Sequence, residues 1–317
     1  MYLSGIYMKK KRIILFYNTM FDTSLTYDRA NIPEEFEFST DRRLIHEAAA
    51  VVFHIPSLYS PLLNKFSRVI PSIYSIYLHF KRLRKEKIQV WVAWYMECED
   101  NIPHFRDPSF LNNFDWTMSY HLDADIVTPY YYSALNTLLR GPVREKSSEK
   151  NVCAFISSSF HKSGRLTYLK ALMDYLDIHS YGKVLQNRTL EKDSGHQSKM
   201  DTMSRYKFTI AFENAIDKDY VTEKFYDPLI AGSVPIYLGA PNIDDFAPGD
   251  KCFINACNWN SPESLARYIL EVSKNHELYQ SYLDWRSKPF KPYFIKLLEE
   301  QKVHSFVRLC RKLQEIK

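Results

Sequence analysis

Cysteine is scarce and poorly placed for cross-linking. The five in 317 residues, Cys98, Cys153, Cys252, Cys257 and Cys310, are odd in number and far apart, with no CxxC pair and no Cys/His cluster. That argues against a disulfide framework or a structural zinc site and fits a reducing compartment. Long apolar runs are missing too. The longest, Val69 to Phe80, is broken by Pro71 and polar residues and falls short of the ~20 residues a membrane span needs. The run Ile13 to Tyr17 behind the basic Lys9-Lys10-Lys11-Arg12 is too short for the core of a signal peptide and reads as a first strand. No aromatic and basic stripe and no nucleic-acid module is visible, which argues against a nucleic-acid partner. The chain reads as soluble and cytoplasmic. Its net charge of +5 is spread out, with dense runs only at Lys9 to Arg12 and Lys81 to Lys87. Such runs are ordinary solvated surface, or a peripheral contact with the anionic inner face of a membrane.

What is present is the composition of a folded globular protein, 45% hydrophobic, 15% aromatic and 25% charged. A chain of this length exceeds one ordinary core, so two domains are expected. Strand-like and helix-like segments alternate, the pattern of an α/β fold with parallel sheets. In the first half the strand candidates are Arg12 to Asn18, Val51 to Ile55 and Gln89 to Tyr95, with a helix over Asp41 to Ala50. The polar stretch Gly141 to Lys150 reads as an interdomain linker. Beyond it come strand Asn151 to Ser157, helix Gly164 to Leu176, strand Ile178 to Tyr181, a polar loop from Arg188 to Asp201, and strands Lys207 to Glu213 and Val234 to Leu238. The expected division is residues 1–146, 147–290, and a helix in 291–317 packed across a domain, since Phe294, Leu297, Leu298, Phe306, Leu309 and Leu313 recur at helical spacing. Two Rossmann-like domains facing a cleft, the GT-B arrangement, are expected, with ligands at the carboxyl ends of the strands.

One such end carries a chemical signal. Strand Lys207 to Glu213 is followed by Asn214 and a short loop, and Thr222 is placed to cap a helix opening with Glu223 and Lys224. Free N–H groups and the positive end of the helix dipole suit a phosphate, and Lys224 adds a full charge. Pro228 lies beyond the tolerated first turn and predicts a kink, and Gly232 a helix end. Spacing alone supports equally an ordinary capped helix start with surface charge.

The run YKFTIAFENAIDKDYVTEKFYDPLIAGSVPIYLGAPNIDDFAP, Tyr206 to Pro248, resembles the donor-binding signature of the α1,3/4-fucosyltransferases, glycosyltransferase family ten, nearly residue for residue. The likeness extends to Ser180-Tyr181-Gly182-Lys183 with Leu185 to Arg188, to Trp116 to Tyr120 with Asp123 to Ile126, and to Ala50 to His54. It implies a GDP-fucose donor and an oligosaccharide acceptor. Asn214, Tyr220, Glu223 and Lys224 would contact the nucleotide sugar, with Lys224 on the diphosphate and Glu223 accepting from sugar hydroxyls. Arg165, in the helix after the first strand of the second domain, would also meet the diphosphate. Glu97 matches the place of the family's catalytic base, with Glu99 its nearest competitor; the acidic residues Glu99 and Asp100 after it depart from the family's small or proline residues. The implied reaction is a single inverting displacement at the fucose anomeric carbon, giving an α-linked product on a GlcNAc-containing glycan such as N-acetyllactosamine. No metal is required in that scheme, a divalent cation such as manganese being at most stimulatory, and Asp123-Ala124-Asp125, though of DxD form, is expected to be structural.

The resemblance suggests a compact, bacterial-type enzyme for surface polysaccharide, without the paired tail cysteines of secreted animal relatives. The stretch SYGKVLQNR also resembles relatives that fucosylate proteins, so a protein acceptor stays open, and so does an α1,4 linkage, since α1,3 and α1,4 specificity in the family differ by small changes in the amino-terminal half.

Overall fold

The structure, a computed structural model, describes residues 10–58, 83, 85–86, 88–102, 108–146 and 151–316. The apolar stretch Val69 to Phe80, most of the basic run from Lys81, and part of the loop 101–113 lie outside them. Two compact units divide the chain: residues Met1–Thr128 with Val303–Lys317, and Pro129–Lys302.

The first unit is built on a wholly parallel six-stranded sheet. Its strands are β1 (Arg12–Phe16), β2 (Phe36–Ser39), β3 (Ala50–His54), β4 (Val90–Trp94), β5 (Trp116–Ser119) and β6 (Ile126–Val127), in the order β2-β1-β3-β4-β5-β6. β3 and β4 are buried along their whole length, which is why they read as unbroken apolar runs rather than alternating ones. The expected helix over Asp41 to Ala50 is only a 3-10 turn at Arg42–Leu44. Asp41 accepts from the Arg43 N–H, a local bond that competes with helix growth, and β3 already begins at Ala50.

His54 ends β3 almost fully buried, 1% exposed, edge-on to Trp94 and Phe21. Its Nδ1 lies 2.7 Å from Ser57 Oγ, which also accepts from the Phe21 N–H. Burial pulls the imidazole down from its usual range to about 4. The folded protein therefore resists a proton that the unfolded chain takes up near 6.5. The stability this contributes is complete above pH 6.5 and is lost as pH falls toward 4, by about 3 kcal/mol. Urea midpoints measured from pH 7.5 to 4.5 are expected to fall more steeply for the parent than for His54→Gln; parallel curves would contradict this.

The second unit holds a parallel five-stranded sheet of β7 (Val152–Ala154), β8 (Ile178–Ser180), β9 (Phe208–Phe212), β10 (Val234–Leu238) and β11 (Ile254–Asn255), ordered β11-β10-β9-β7-β8. Strand order reverses between β7 and β9, so the carboxyl ends of these two strands form the topological switch point. Its helices include α1 (Arg165–Met173), α2 (His196–Met203), α3 (Glu223–Ala231) and α4 (Pro262–Lys274). α2 occupies what reads as polar loop. Its sequence HQSKMDTM buries only Met203, too little apolar periodicity to signal a helix.

Two boundaries fall elsewhere than the sequence pattern places them. The stretch 141–146 is not a linker between the compact units but part of the second one. Arg140 donates to the main-chain oxygens of Trp285, Arg286 and Lys288 and lies over the Phe290 ring, while Arg286 donates to the carbonyl of Gly141. Composition marked a turn there, and these bonds across 145 residues or more fix its place. The expected tail helix is two helices, α5 (Pro292–Glu300) in the second unit and α6 (Ser305–Gln314) in the first. Phe306, Leu309, Cys310 and Leu313 of α6 join Ile14, Phe16, Val52 and Trp94 in one core, and Lys312 pairs with Asp125 at 3.0 Å. Asp125 also accepts from the Thr117 N–H at 2.9 Å, so this half of the DxD sequence ties the sheet edge to α6.

All five cysteines are free thiols, four of them buried. No helix among the described residues is long and apolar enough to cross a membrane.

Candidate active site

β9 reads FTIAF and is buried throughout. The next residue, Glu213, is a carboxylate with no exposure at all, at a position where an apolar strand would ordinarily end in solvent. Its oxygens accept from the Thr222 N–H at 2.8 Å and from the Thr222 hydroxyl at 2.8 and 2.9 Å. They also lie 3.3 Å from Lys224 Nζ. Burial pushes the Glu213 carboxyl up, and the Lys224 ammonium opposes that only in part. Lys224 in turn is drained by burial but held above its usual value by Glu213 and Glu223, so it stays a cation.

Thr222 does two jobs: it bonds Glu213, and its Oγ1 accepts from the Lys224 N–H at 3.3 Å as the N-cap of α3. The helix runs on through Pro228 to Gly232, whose φ of 72° closes it in the left-handed region. Pro228 removes only the bond that the Lys224 carbonyl would accept, and no break in the helix accompanies it. Glu223 is half-exposed. Burial would raise its carboxyl, but Lys224 and Lys199 outweigh that and hold it below its ordinary value. Lys199 comes from α2 and pairs with the buried Asp227 of α3 at 2.8 Å.

Asn214 follows Glu213, 8% exposed, and its Oδ1 is buried with no hydrogen-bond partner among the described residues. Buried side-chain oxygens are seldom left so. The loop beyond is held by Asp219, at φ 65°, which receives a bond from Asn242 Nδ2 and gives its own N–H to Asn242 Oδ1. Tyr220 is 1% exposed. Gly239 lies against this cluster: a Cβ there would stand 2.4 Å from the Tyr237 hydroxyl and 2.6 Å from Glu213 Cγ.

The start of α1 meets the same strand end. Ser163 Oγ donates to the Glu213 carbonyl at 2.6 Å and the Ser163 N–H to the Asn214 carbonyl at 3.1 Å. Arg165 is not a solvated helix residue; it is 1% exposed and donates to the carbonyls of Ser158 (2.9 Å) and Phe212 (3.3 Å). It thus clamps the segments leaving β7 and β9. Two helix amino ends, the buried Arg165, the partly buried Lys224 and an unsatisfied amide oxygen therefore converge at the switch point, an arrangement suited to an anion carrying hydroxyl groups.

In the first unit Glu97 sits in the bend just beyond β4, partly buried. Glu99, its competitor, accepts from the Tyr95 hydroxyl at 3.3 Å and lies 3.2 Å from His121 Nε2.

Sequence reasoning missed Glu213, Lys199 and Asp227. A single acid closing the run FTIAFE was the available signal for the first. The other two depend on α2 lying beside α3, which no local pattern announces.

Because Glu213 accepts every polar hydrogen Thr222 offers, Glu213→Ala is expected to cost about 3 kcal/mol of stability in urea unfolding. Glu213→Gln, which keeps an acceptor oxygen, should cost clearly less. Equal, small losses would contradict the role given to this carboxylate.

Two family models match the chain: "Glycosyltransferase family 10 (fucosyltransferase) C-term" over residues 145–317 and "Fucosyltransferase, N-terminal" over 9–131. The 4-galactosyl-N-acetylglucosaminide 3-alpha-L-fucosyltransferase 9 of Cricetulus griseus is 33% identical over 253 residues, 78% of this chain and 63% of its own length. The Homo sapiens protein of the same name is 32% identical over the same span. GDP-fucose protein O-fucosyltransferase 3 of Xenopus laevis is 33% identical over 220 residues, 64% of this chain and 47% of its own length. The chain thus spans less than two thirds of the length of the curated relatives it matches. A crystal structure of an alpha1,3-fucosyltransferase aligns with a TM-score of 0.60 at 16% identity, over 98% of this chain and 92% of that one. That likeness identifies the fold as GT-B in type. With both of its halves matched, the chain belongs to glycosyltransferase family 10, the fucosyltransferases.

Proposed function

We propose that the chain transfers L-fucose from GDP-β-L-fucose to a GlcNAc-containing glycan such as N-acetyllactosamine, by one inverting displacement that forms an α1,3 linkage. The observation that carries this reading is Lys224, kept charged by a fully buried carboxylate at a helix start on the switch point. Relatives 32–33% identical over 253 aligned residues are named as 3-alpha-L-fucosyltransferases.

In this reading Lys224, Arg165 and the α3 amino end receive the negative charge that grows on the departing GDP, in positions set before the reaction begins. Arg165 does so through its charge and through the strand ends it clamps. Asn214, Tyr220 and Glu223 position the nucleotide sugar. The acceptor hydroxyl oxygen forms the new bond to fucose C1 as the C1–O bond to the diphosphate breaks, and Glu97 takes the hydroxyl proton. The cations already present do what a divalent metal would do for the diphosphate, so turnover is expected to survive exhaustive chelation; complete loss with EDTA, restored by manganese, would overturn that point.

One observation favours a second reading: the Xenopus laevis relative is named as a protein O-fucosyltransferase. Measuring GDP release with N-acetyllactosamine against a folded polypeptide acceptor separates the two. The first reading expects acceptor-dependent release with the glycan; release with the polypeptide alone would replace it.

A further inference from the structure

The second unit has a cavity of ≈620 Å³ at the opposite end of its sheet from the site above. Lys207, on its wall, directly precedes β9, whereas Asn214 follows it, so the length of the strand, about 16 Å for five residues, separates the two. Five cations line the cavity, Arg144, Lys146, Lys207, Lys274 and Arg286, against two carboxylates, Glu145 and Asp284. None of the five forms an ion pair among the described residues. Several are instead fixed by main-chain carbonyls: Lys146 Nζ donates to Ser204, Lys207 Nζ to Ser273, and Arg286 to Gly141 and Leu229. Lys207 also lies over the face of Tyr279, 5.6 Å from its centroid.

Cations on a convex surface are spread by repulsion and screened by salt. Here they are gathered in a concavity, where low-dielectric walls focus their field. The α4 carboxyl end at Ser273 and Lys274 offsets part of that charge, yet burial still pulls the Lys146 ammonium down to about 8, with Arg286 and Arg144 adding to the effect. An anion in the cavity would relieve this repulsion. The cavity's volume of ≈620 Å³ exceeds what a single phosphate needs, and its five cations come from three separate stretches of chain and the residue that leads into β9.

We propose that this cavity is a second anion site, taking a ligand with two or more linked phosphate groups, free in solution or carried on a lipid headgroup. The site is independent of the donor site and of the reaction proposed for it.

Inorganic pyrophosphate titrated by calorimetry into the full chain, with and without saturating GDP, is expected to show a saturable site that GDP does not displace. Its affinity should fall with rising salt. The double variant Lys146→Gln/Lys207→Gln should weaken it at least tenfold, whereas Lys296→Gln, a surface cation elsewhere in the unit, should leave it unchanged. Vesicles containing a phosphoinositide bisphosphate form the second arm: cosedimentation lost in the double variant assigns the phosphates to a headgroup, and pyrophosphate binding alone assigns them to a soluble ligand. A parent protein that binds neither probe, or a double variant with intact circular dichroism that binds as the parent does, overturns the proposal.

Discussion

Replacing Lys224 with alanine is expected to lower kcat/KM for GDP-fucose by about two to three orders of magnitude, the usual cost of removing a preorganised donor to transition-state charge. Both partners of the lysine contribute. Glu213 and Glu223 keep it protonated against the drain of burial, so its charge is constant through the neutral range and the loss should not depend on pH there. The variant also leaves Glu213 without its counter-charge, so part of the effect will appear as weaker folding. Lys224→Arg separates the two, since it restores the charge beside Glu213 with a different reach and a planar fork. Single-turnover kinetics, with donor affinity measured by calorimetry, should show Lys224→Ala impaired in both terms and Lys224→Arg impaired mainly in turnover. An alanine variant within fivefold of the parent would remove Lys224 from the reaction.

Glu97→Ala carries the other large expectation. General-base catalysis is worth roughly 10² to 10⁴ in rate, so transfer should fall by that order while GDP-fucose binding is retained, because Asn214, Glu223 and Lys224, the residues proposed to hold the donor, belong to the second unit. Glu99→Ala is the control. Glu99 is engaged by Tyr95 and His121, so its loss should alter local packing and activity modestly. The reverse ranking, Glu99→Ala inactive and Glu97→Ala active, would move the base two residues along the chain.

Much of the scaffold was legible because buried parallel strands announce themselves. Val234 to Leu238 matches β10 residue for residue, and Lys207 to Glu213 encloses β9. The N-cap at Thr222 and the helix end at Gly232 follow from residue types whose local chemistry leaves little choice. What escaped the sequence depends on distant parts of the chain. α2 is a polar helix that lies beside α3, tied to it by Lys199 and Asp227 and by Met203 packed with Ala231. The division at Thr128 and Pro129, rather than near residue 146, reflects Arg140 and Arg286 binding carbonyls far along the chain. Glu213 was passed over because an acid at a strand end is ordinary until Thr222 and Lys224 are seen to converge on it.

The most direct measurement is incubation of the chain with GDP-fucose and N-acetyllactosamine, with GDP release followed in time and the product's linkage read by NMR. One GDP released per fucosylated product, with fucose α-linked to O3 of the GlcNAc, is the predicted result. A β-linked product, or transfer from another sugar nucleotide but not from GDP-fucose, would contradict the assignment of this switch-point site as an inverting GDP-fucose site.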